Sequence, residues 1–197
     1  MVNNMSTHIE IEFKTLLTKS EYERVQEYFN LKEIDPKKQT NVYFDTDDYF
    51  LKQRHIIVRT RLKDGSIEFT IKMKRKKGNI EINQPISEQD FQNLVNNSII
   101  PNGVVKVALN ELNITTIKVK AELTTYRYEV NYHNCLIALD ESYYGDKIDY
   151  ELELEVPEYD YGQKVFRELL EMFSLPHRLA KPKAIRAMEY SQQKNPS

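Results

Sequence analysis

Charged side chains recur at alternate positions along this chain, and neighbours in each run mostly carry the same sign. Glu10, Glu12 and Lys14 stand in E-I-E-F-K, Arg59 and Arg61 in V-R-T-R, and Lys72 and Lys74 in I-K-M-K. Glu151, Glu153 and Glu155 stand in Y-E-L-E-L-E. Read as strands, alternate residues share one face at a spacing of about 7 Å. Like charges held that close are destabilising unless something of opposite charge lies between them. Rows of Arg and Lys suit a polyanion with repeated negative centres, such as a phosphate chain. Rows of Glu suit hard divalent cations that take oxygen ligands, Mg²⁺ or Mn²⁺. A phosphate chain and a metal together point to phosphoanhydride chemistry, with the metal neutralising charge and orienting a water.

These residues need strands to present them. Ile9, Ile11 and Phe13 alternate with the first acids, and Val58, Thr60 and Leu62 with the Arg pair. Ile67, Phe69, Ile71 and Met73 oppose Glu68, Thr70, Lys72 and Lys74, while Leu152, Leu154 and Val156 oppose the late glutamates. Asp64-Gly65 is a hairpin signal between two of these strands. Residues 117–124 and 125–132 read as two further strands, adding Lys118, Lys120, Glu122, Arg127 and Glu129 to the polar faces. Three amphipathic helices accompany the strands. One follows the capping box Thr18–Glu21, one follows Ser87–Asp90, and one opens at Asp160 with Phe166, Leu169, Leu170 and Phe173 as its stripe. Val104–Asn113 is ambiguous between a loop and a short helix. Lys181, Lys183 and Arg186 form a basic loop before a closing helix.

If the helices cover the apolar faces, the charged faces turn towards one another and the sheet curls into a barrel with a polar lumen. The expected fold is therefore α+β: a closed eight-stranded antiparallel β-barrel, or tunnel, with a charged lumen and helices outside. The competing arrangement is a flat sheet with helices on one side and its charges in water.

Composition bounds the rest. The chain has 197 residues, is 40% hydrophobic and carries a net charge of −2, so one domain over 1–197 with a core at about 8–190 is expected. That balance argues against a generic nucleic-acid partner. Cys135 is the single cysteine, and no Cys/His cluster has zinc-site spacing. No apolar run approaches the ~18 residues of a membrane span, and Met1–Glu10 lacks a signal peptide's features, so a cytoplasmic protein without a membrane partner is expected. Asp45, Asp47 and Asp48 lack the glycine and closing glutamate of a calcium loop and read as a turn. The four histidines fall into no triad order.

The ordered set resembles the CYTH, or triphosphate tunnel metalloenzyme, superfamily. The motifs are E-I-E-F-K, V-R-T-R, E-F-T-I-K-M-K, Arg127, Leu139-Asp140, Y-E-L-E-L-E and K-P-K-A-I-R, spread over about residues 8–190. The pattern is similar to short single-domain CYTH proteins of low-GC Gram-positive bacteria. The resemblance implies a triphosphatase tunnel in which Glu10 and Glu12 bind metal with Glu151, Glu153 and Asp140. Glu155 remains the alternative to Glu151. It also implies that Lys14, Arg59, Arg61, Lys72, Lys74 and Arg127 hold phosphates, with Lys181, Lys183 and Arg186 completing the grip at the tunnel mouth. Lys14 has a second possible role, steadying the water or a glutamate, and with Glu10 and Glu12 it forms the expected catalytic set. Inorganic triphosphate is the first substrate candidate, with a nucleoside triphosphate or thiamine triphosphate as alternatives, and the absence of Trp disfavours the last. A class IV adenylyl cyclase and a non-catalytic polyphosphate- or nucleotide-binding module are the rival functions. Monomer and homodimer both remain open.

Overall fold

A computed structural model describes residues 6–194 of the chain. Its strands are β1 (Ser6–Leu17), β2 (Lys37–Asp45), β3 (Ile56–Lys63), β4 (Ser66–Lys74), β5 (Asn79–Pro85), β6 (Lys118–Tyr132), β7 (Cys135–Tyr144) and β8 (Lys147–Val156). They form a closed antiparallel barrel in the order β1-β5-β4-β3-β2-β6-β7-β8. The helices are α1 (Lys19–Tyr28), α2 (Phe50–Gln53), α3 (Glu88–Asn97), α4 (Val104–Glu111), α5 (Tyr159–Met172) and α6 (Lys183–Lys194). Among the described residues no helix is long and apolar enough to cross a membrane. Two compact groups of elements divide the chain. One is centred on Gln39–Leu123, with the first residues of β1 and helix α6; the other consists of Glu10–Lys38 and Thr124–Pro182.

In the first group, β3 and β4 are joined at Asp64 and Gly65, with φ of 50° and 73°. Two successive left-handed residues make the hairpin turn whose twist matches the strands, which is why Asp-Gly stands there. Strand alternation then sorts the side chains. Val42, Phe44, Val58, Phe69 and Ile71 share a core with Leu94 of α3 and Val105 and Leu109 of α4. Each such buried side chain is worth about 1.5–3 kcal/mol. Asp45 caps the short α2, its Oδ1 accepting from the Leu51 N–H and its Oδ2 from the Lys52 N–H, both at 2.9 Å. The polar turn expected there forms at Asp47 and Asp48, and α2 begins just beyond it at Phe50.

In the second group, Ile137, Leu139, Leu152, Leu154 and Val156 pack against Tyr22 and Val25 of α1 and Val165, Phe166 and Leu169 of α5. Both halves of the Thr18–Glu21 capping box form, and Ser87–Asp90 forms the same box on α3. Gly162 allows α5 to sit close on β8, since a Cβ there would fall 2.4 Å from Val156 Cγ2.

Several expectations need correction. Residues 118–132 form one strand, not two. With a period of two, Lys118, Lys120 and Glu122 do not fall on the face of Arg127 and Glu129. Lys118 and Lys120 instead pair with Asp47, at 2.7 and 3.5 Å, and Lys120 lies over the Tyr49 ring. Val104–Glu111 is a helix. Glu158 rather than Asp160 caps α5, because its longer side chain reaches the N–H groups of both Asp160 and Tyr161, at 2.9 and 2.7 Å. Lys183 and Arg186 lie within α6, so of the expected basic loop only Lys181 is in a loop.

Candidate active site

The second group gathers most of the expected metal ligands. Lys14 of β1 stands opposite Glu153 of β8, Glu151 opposite Asp140 of β7, and Asp140 opposite Arg127 of β6. These registers bring alternating charges from four strands onto one face. Lys14 Nζ lies 2.7 Å from Glu12 Oε1, 3.1 Å from Glu153 Oε1 and 3.8 Å from Glu151 Oε1. Arg127 forks onto Asp140, with Nε donating to Oδ1 at 2.7 Å and Nη2 to Oδ2 at 2.6 Å, and Nη2 also donates to Glu153 Oε2 at 2.6 Å. Glu151 and Asp140 are fully buried.

Charges this deep survive only in company. Burial by itself would make Lys14 easier to deprotonate, but Glu153, Glu12 and Glu151 outweigh burial and hold its pKa well above the ordinary value. The same contest, with Asp140 the strongest partner, raises Arg127. Of the three late glutamates, Glu151 and Glu153 surround Lys14, whereas Glu155 is exposed and stands opposite Glu12. Glu10 is half-buried, two residues before Glu12 on the same strand.

The strand carrying Lys14 is fixed from its other face. Thr15 Oγ1 donates to the Pro176 carbonyl at 3.1 Å and accepts from the Arg178 N–H at 2.9 Å. Arg178 in turn grips Glu21 at 2.7 and 3.0 Å. Those guanidinium hydrogen bonds hold the Glu21 carboxyl down at about 2, against the opposing effect of burial.

The first group carries a row of cations. Register aligns Asn41 with Arg61 and Glu68, Tyr43 with Arg59, Thr70 and Asn83, and Lys72 with Glu81. Arg61 Nε donates to Asn41 Oδ1 at 3.0 Å. Lys72 Nζ lies 3.1 Å from Glu81 Oε1, and Arg59 Nη2 lies 3.9 Å from the same oxygen. Burial opposes ionisation of Glu81, yet Arg59, Lys72 and Arg61 overcome it and pull its pKa down to about 2. Lys74 sits at the exposed end of β4, Lys181 is exposed, and Lys183 and Arg186 are half-buried on α6.

Glu81 is the member that sequence reasoning missed. It lies between two isoleucines at the start of a return strand, and it stands alone rather than in a same-sign run. Hairpin arithmetic across Arg75–Gly78 does find it, because a turn there places residue 81 opposite Lys72.

The donor chemistry fits a hard divalent cation. Glu12, Asp140, Glu151 and Glu153 are four carboxylates gathered about two cations, Lys14 and Arg127, so the set itself carries two negative charges in excess. Among the described residues, no three acidic, His or Cys groups converge in a metal-holding arrangement. In the arrangement seen, Glu12, Asp140 and Glu153 are engaged by the ammonium and the guanidinium.

Known proteins share this arrangement of sequence and fold. The CYTH domain matches residues 8–188. A Bacillus subtilis (strain 168) protein, YjbK, assigned as a triphosphatase, is 41% identical over 187 residues, covering 94% of this chain and 97% of its own. A Bacillus halodurans structure assigned as an adenylate cyclase is 34% identical, with a TM-score of 0.88 over 92% of this chain and 98% of that one. HpAC1 from Hippeastrum, described as having a dominant triphosphatase activity, is 19% identical with a TM-score of 0.73, over 92% of this chain and 96% of that one, a likeness of fold.

Proposed function

The chain belongs to the CYTH family, and on that premise we propose that it is a divalent-metal-dependent triphosphatase, with inorganic triphosphate as first substrate. The observation that carries this reading is the buried set around Lys14, whose excess of two negative charges matches one Mg²⁺ or Mn²⁺. Glu12, Glu151, Glu153 and Asp140 of that set would hold the ion, and Glu10, outside the set and two residues before Glu12 on β1, is proposed as a further ligand. Such an ion supplies charge neutralisation and Lewis-acid polarisation of a phosphoryl oxygen.

The chain's own groups do the remainder. Arg59, Arg61 and Lys72 offer charge to phosphate oxygens, which suits guanidinium forks and ammonium point charges. Lys14 and Arg127 hold the acids together and in place, and Lys14 also stands close enough to these carboxylates to steady a water among them. Lys74, Lys181, Lys183 and Arg186 are proposed as outer phosphate contacts. A water oxygen attacks phosphorus, a P–O–P bond breaks, and phosphate and diphosphate leave.

One relative's assignment as an adenylate cyclase gives the second reading. The test separates the readings by product. Inorganic triphosphate and ATP are incubated with Mg²⁺ and with Mn²⁺. Orthophosphate release supports the triphosphatase; cyclic AMP and pyrophosphate from ATP support the cyclase. Tight binding without turnover under either metal reduces the protein to a binding module.

A further inference from the structure

The row of cations in the first group contains one buried carboxylate. Glu81 stands directly opposite Lys72 in the β4–β5 pair, its side chain 6% exposed. Its Oε1 lies 3.1 Å from Lys72 Nζ and 3.9 Å from Arg59 Nη2, and its Oε2 lies 3.8 Å from His8 Nε2. A buried carboxylate is costly unless cations surround it, and here they do. If this row holds phosphates, Glu81 claims part of the charge that a phosphate would use.

Two roles for Glu81 differ in sign. A carboxylate that merely orients the cations would leave anion binding weaker once neutralised. A carboxylate that competes with the ligand would leave it tighter. The distances favour competition. At 3.9 Å from Arg59, Glu81 makes no directed hydrogen bond to that guanidinium. Arg61 is oriented by Asn41 instead. Lys72 is the close partner, and an ammonium on a flexible stem has little orientation to preserve.

We propose that Glu81 is an internal competitor for the bound phosphate chain, a specificity-determining residue that favours release of short phosphate products over release of the triphosphate. This rests on the phosphate-holding reading of the Arg59, Arg61 and Lys72 row. A triphosphate brings more negative centres than a diphosphate and displaces the carboxylate's influence more fully. A diphosphate or single phosphate competes less well and leaves.

Calorimetric titration of the metal-free protein in chelator with tripolyphosphate, pyrophosphate and inorganic phosphate tests it without relying on turnover. Glu81→Gln is expected to bind pyrophosphate about ten-fold tighter or more, as removal of one opposing charge a few ångströms away requires. Tripolyphosphate gains less, so the selectivity between the two falls. Pyrophosphate binding that is unchanged or weaker in the variant overturns the competitor role. Wild-type protein that binds none of the three overturns the phosphate-holding reading together with this inference. If Glu81→Gln does not fold, the comparison of Lys72→Met with the double variant Lys72→Met/Glu81→Gln decides. The double variant is expected to bind pyrophosphate at least about ten-fold tighter than Lys72→Met alone. Equal affinities overturn the proposal.

Discussion

Lys14 and Glu153 stand directly opposite one another in the β1–β8 pair, with Nζ 3.1 Å from Oε1, and Glu12 and Glu151 complete the ring of oxygens around that ammonium. A cation so placed holds carboxylates together that would otherwise repel. Lys14→Met takes away the ammonium that Glu12, Glu151 and Glu153 share, at a cost of about 3–5 kcal/mol in the metal-free protein. Chemical denaturation with and without Mg²⁺ measures this. Mg²⁺ should restore more stability to the variant than it adds to the wild type. An equal gain in both would mean that ammonium and metal do not act on the same carboxylates.

The three late glutamates are separable by experiment. Glu151 is buried beside Lys14, and Glu155 is exposed. Glu151→Gln should lower phosphate release by about 100-fold or more, as expected on losing a metal-binding carboxylate, whereas Glu155→Gln should stay within about two-fold of wild type, the usual outcome for an exposed side chain outside the set around Lys14. Parallel assays at saturating metal distinguish them, and the reverse order would exchange the two assignments.

Arg127 binds Asp140 by two hydrogen bonds and Glu153 by a third. A lysine keeps the charge but cannot reproduce the fork. Arg127→Lys should therefore lose about 1–3 kcal/mol of stability, the worth of charge-assisted hydrogen bonds left unmade. Thermal unfolding of the two proteins at one pH provides the check.

Acid stability reports on Glu81. Its folded pKa of about 2 lies below the ordinary value near 4.3 for an unfolded glutamate. A depressed carboxylate contributes stability that is fully present above the unfolded value and is lost as pH falls through the folded one. The stability difference between wild type and Glu81→Gln should be largest at pH 5 and above, and should shrink between about pH 4 and 2. Urea titrations across that range test it; a difference independent of pH would contradict it.

Much of this fold is legible because strand alternation and cap chemistry are local. The apolar sides of β3, β4 and β8, the Asp64-Gly65 turn and both capping boxes follow from neighbouring residues. Glu10, Glu12, Arg59, Arg61, Glu151 and Glu153 stand out because same-sign runs at period two are destabilising without an opposing charge, and Lys14 because it continues the period of Glu10 and Glu12 with the opposite sign. What escapes is non-local. Lys118 and Lys120 look like their neighbours in pattern, but Asp47, 71 positions away from Lys118, takes them. Glu81 has no run to announce it, and its meaning comes from the strand beside it. The ends of α5 and α6 escape for a third reason, because caps and loop boundaries depend on which of several adjacent polar residues reaches the free N–H groups.

The most direct test is orthophosphate release from inorganic triphosphate by the wild type and by Glu12→Gln, with Mg²⁺, with Mn²⁺ and with chelator. Release by the wild type that requires a divalent ion, and its loss in a variant that unfolds at a similar temperature, is the predicted result. Release that persists in chelator, or in Glu12→Gln with metal, would contradict a reaction run through the acids around Lys14.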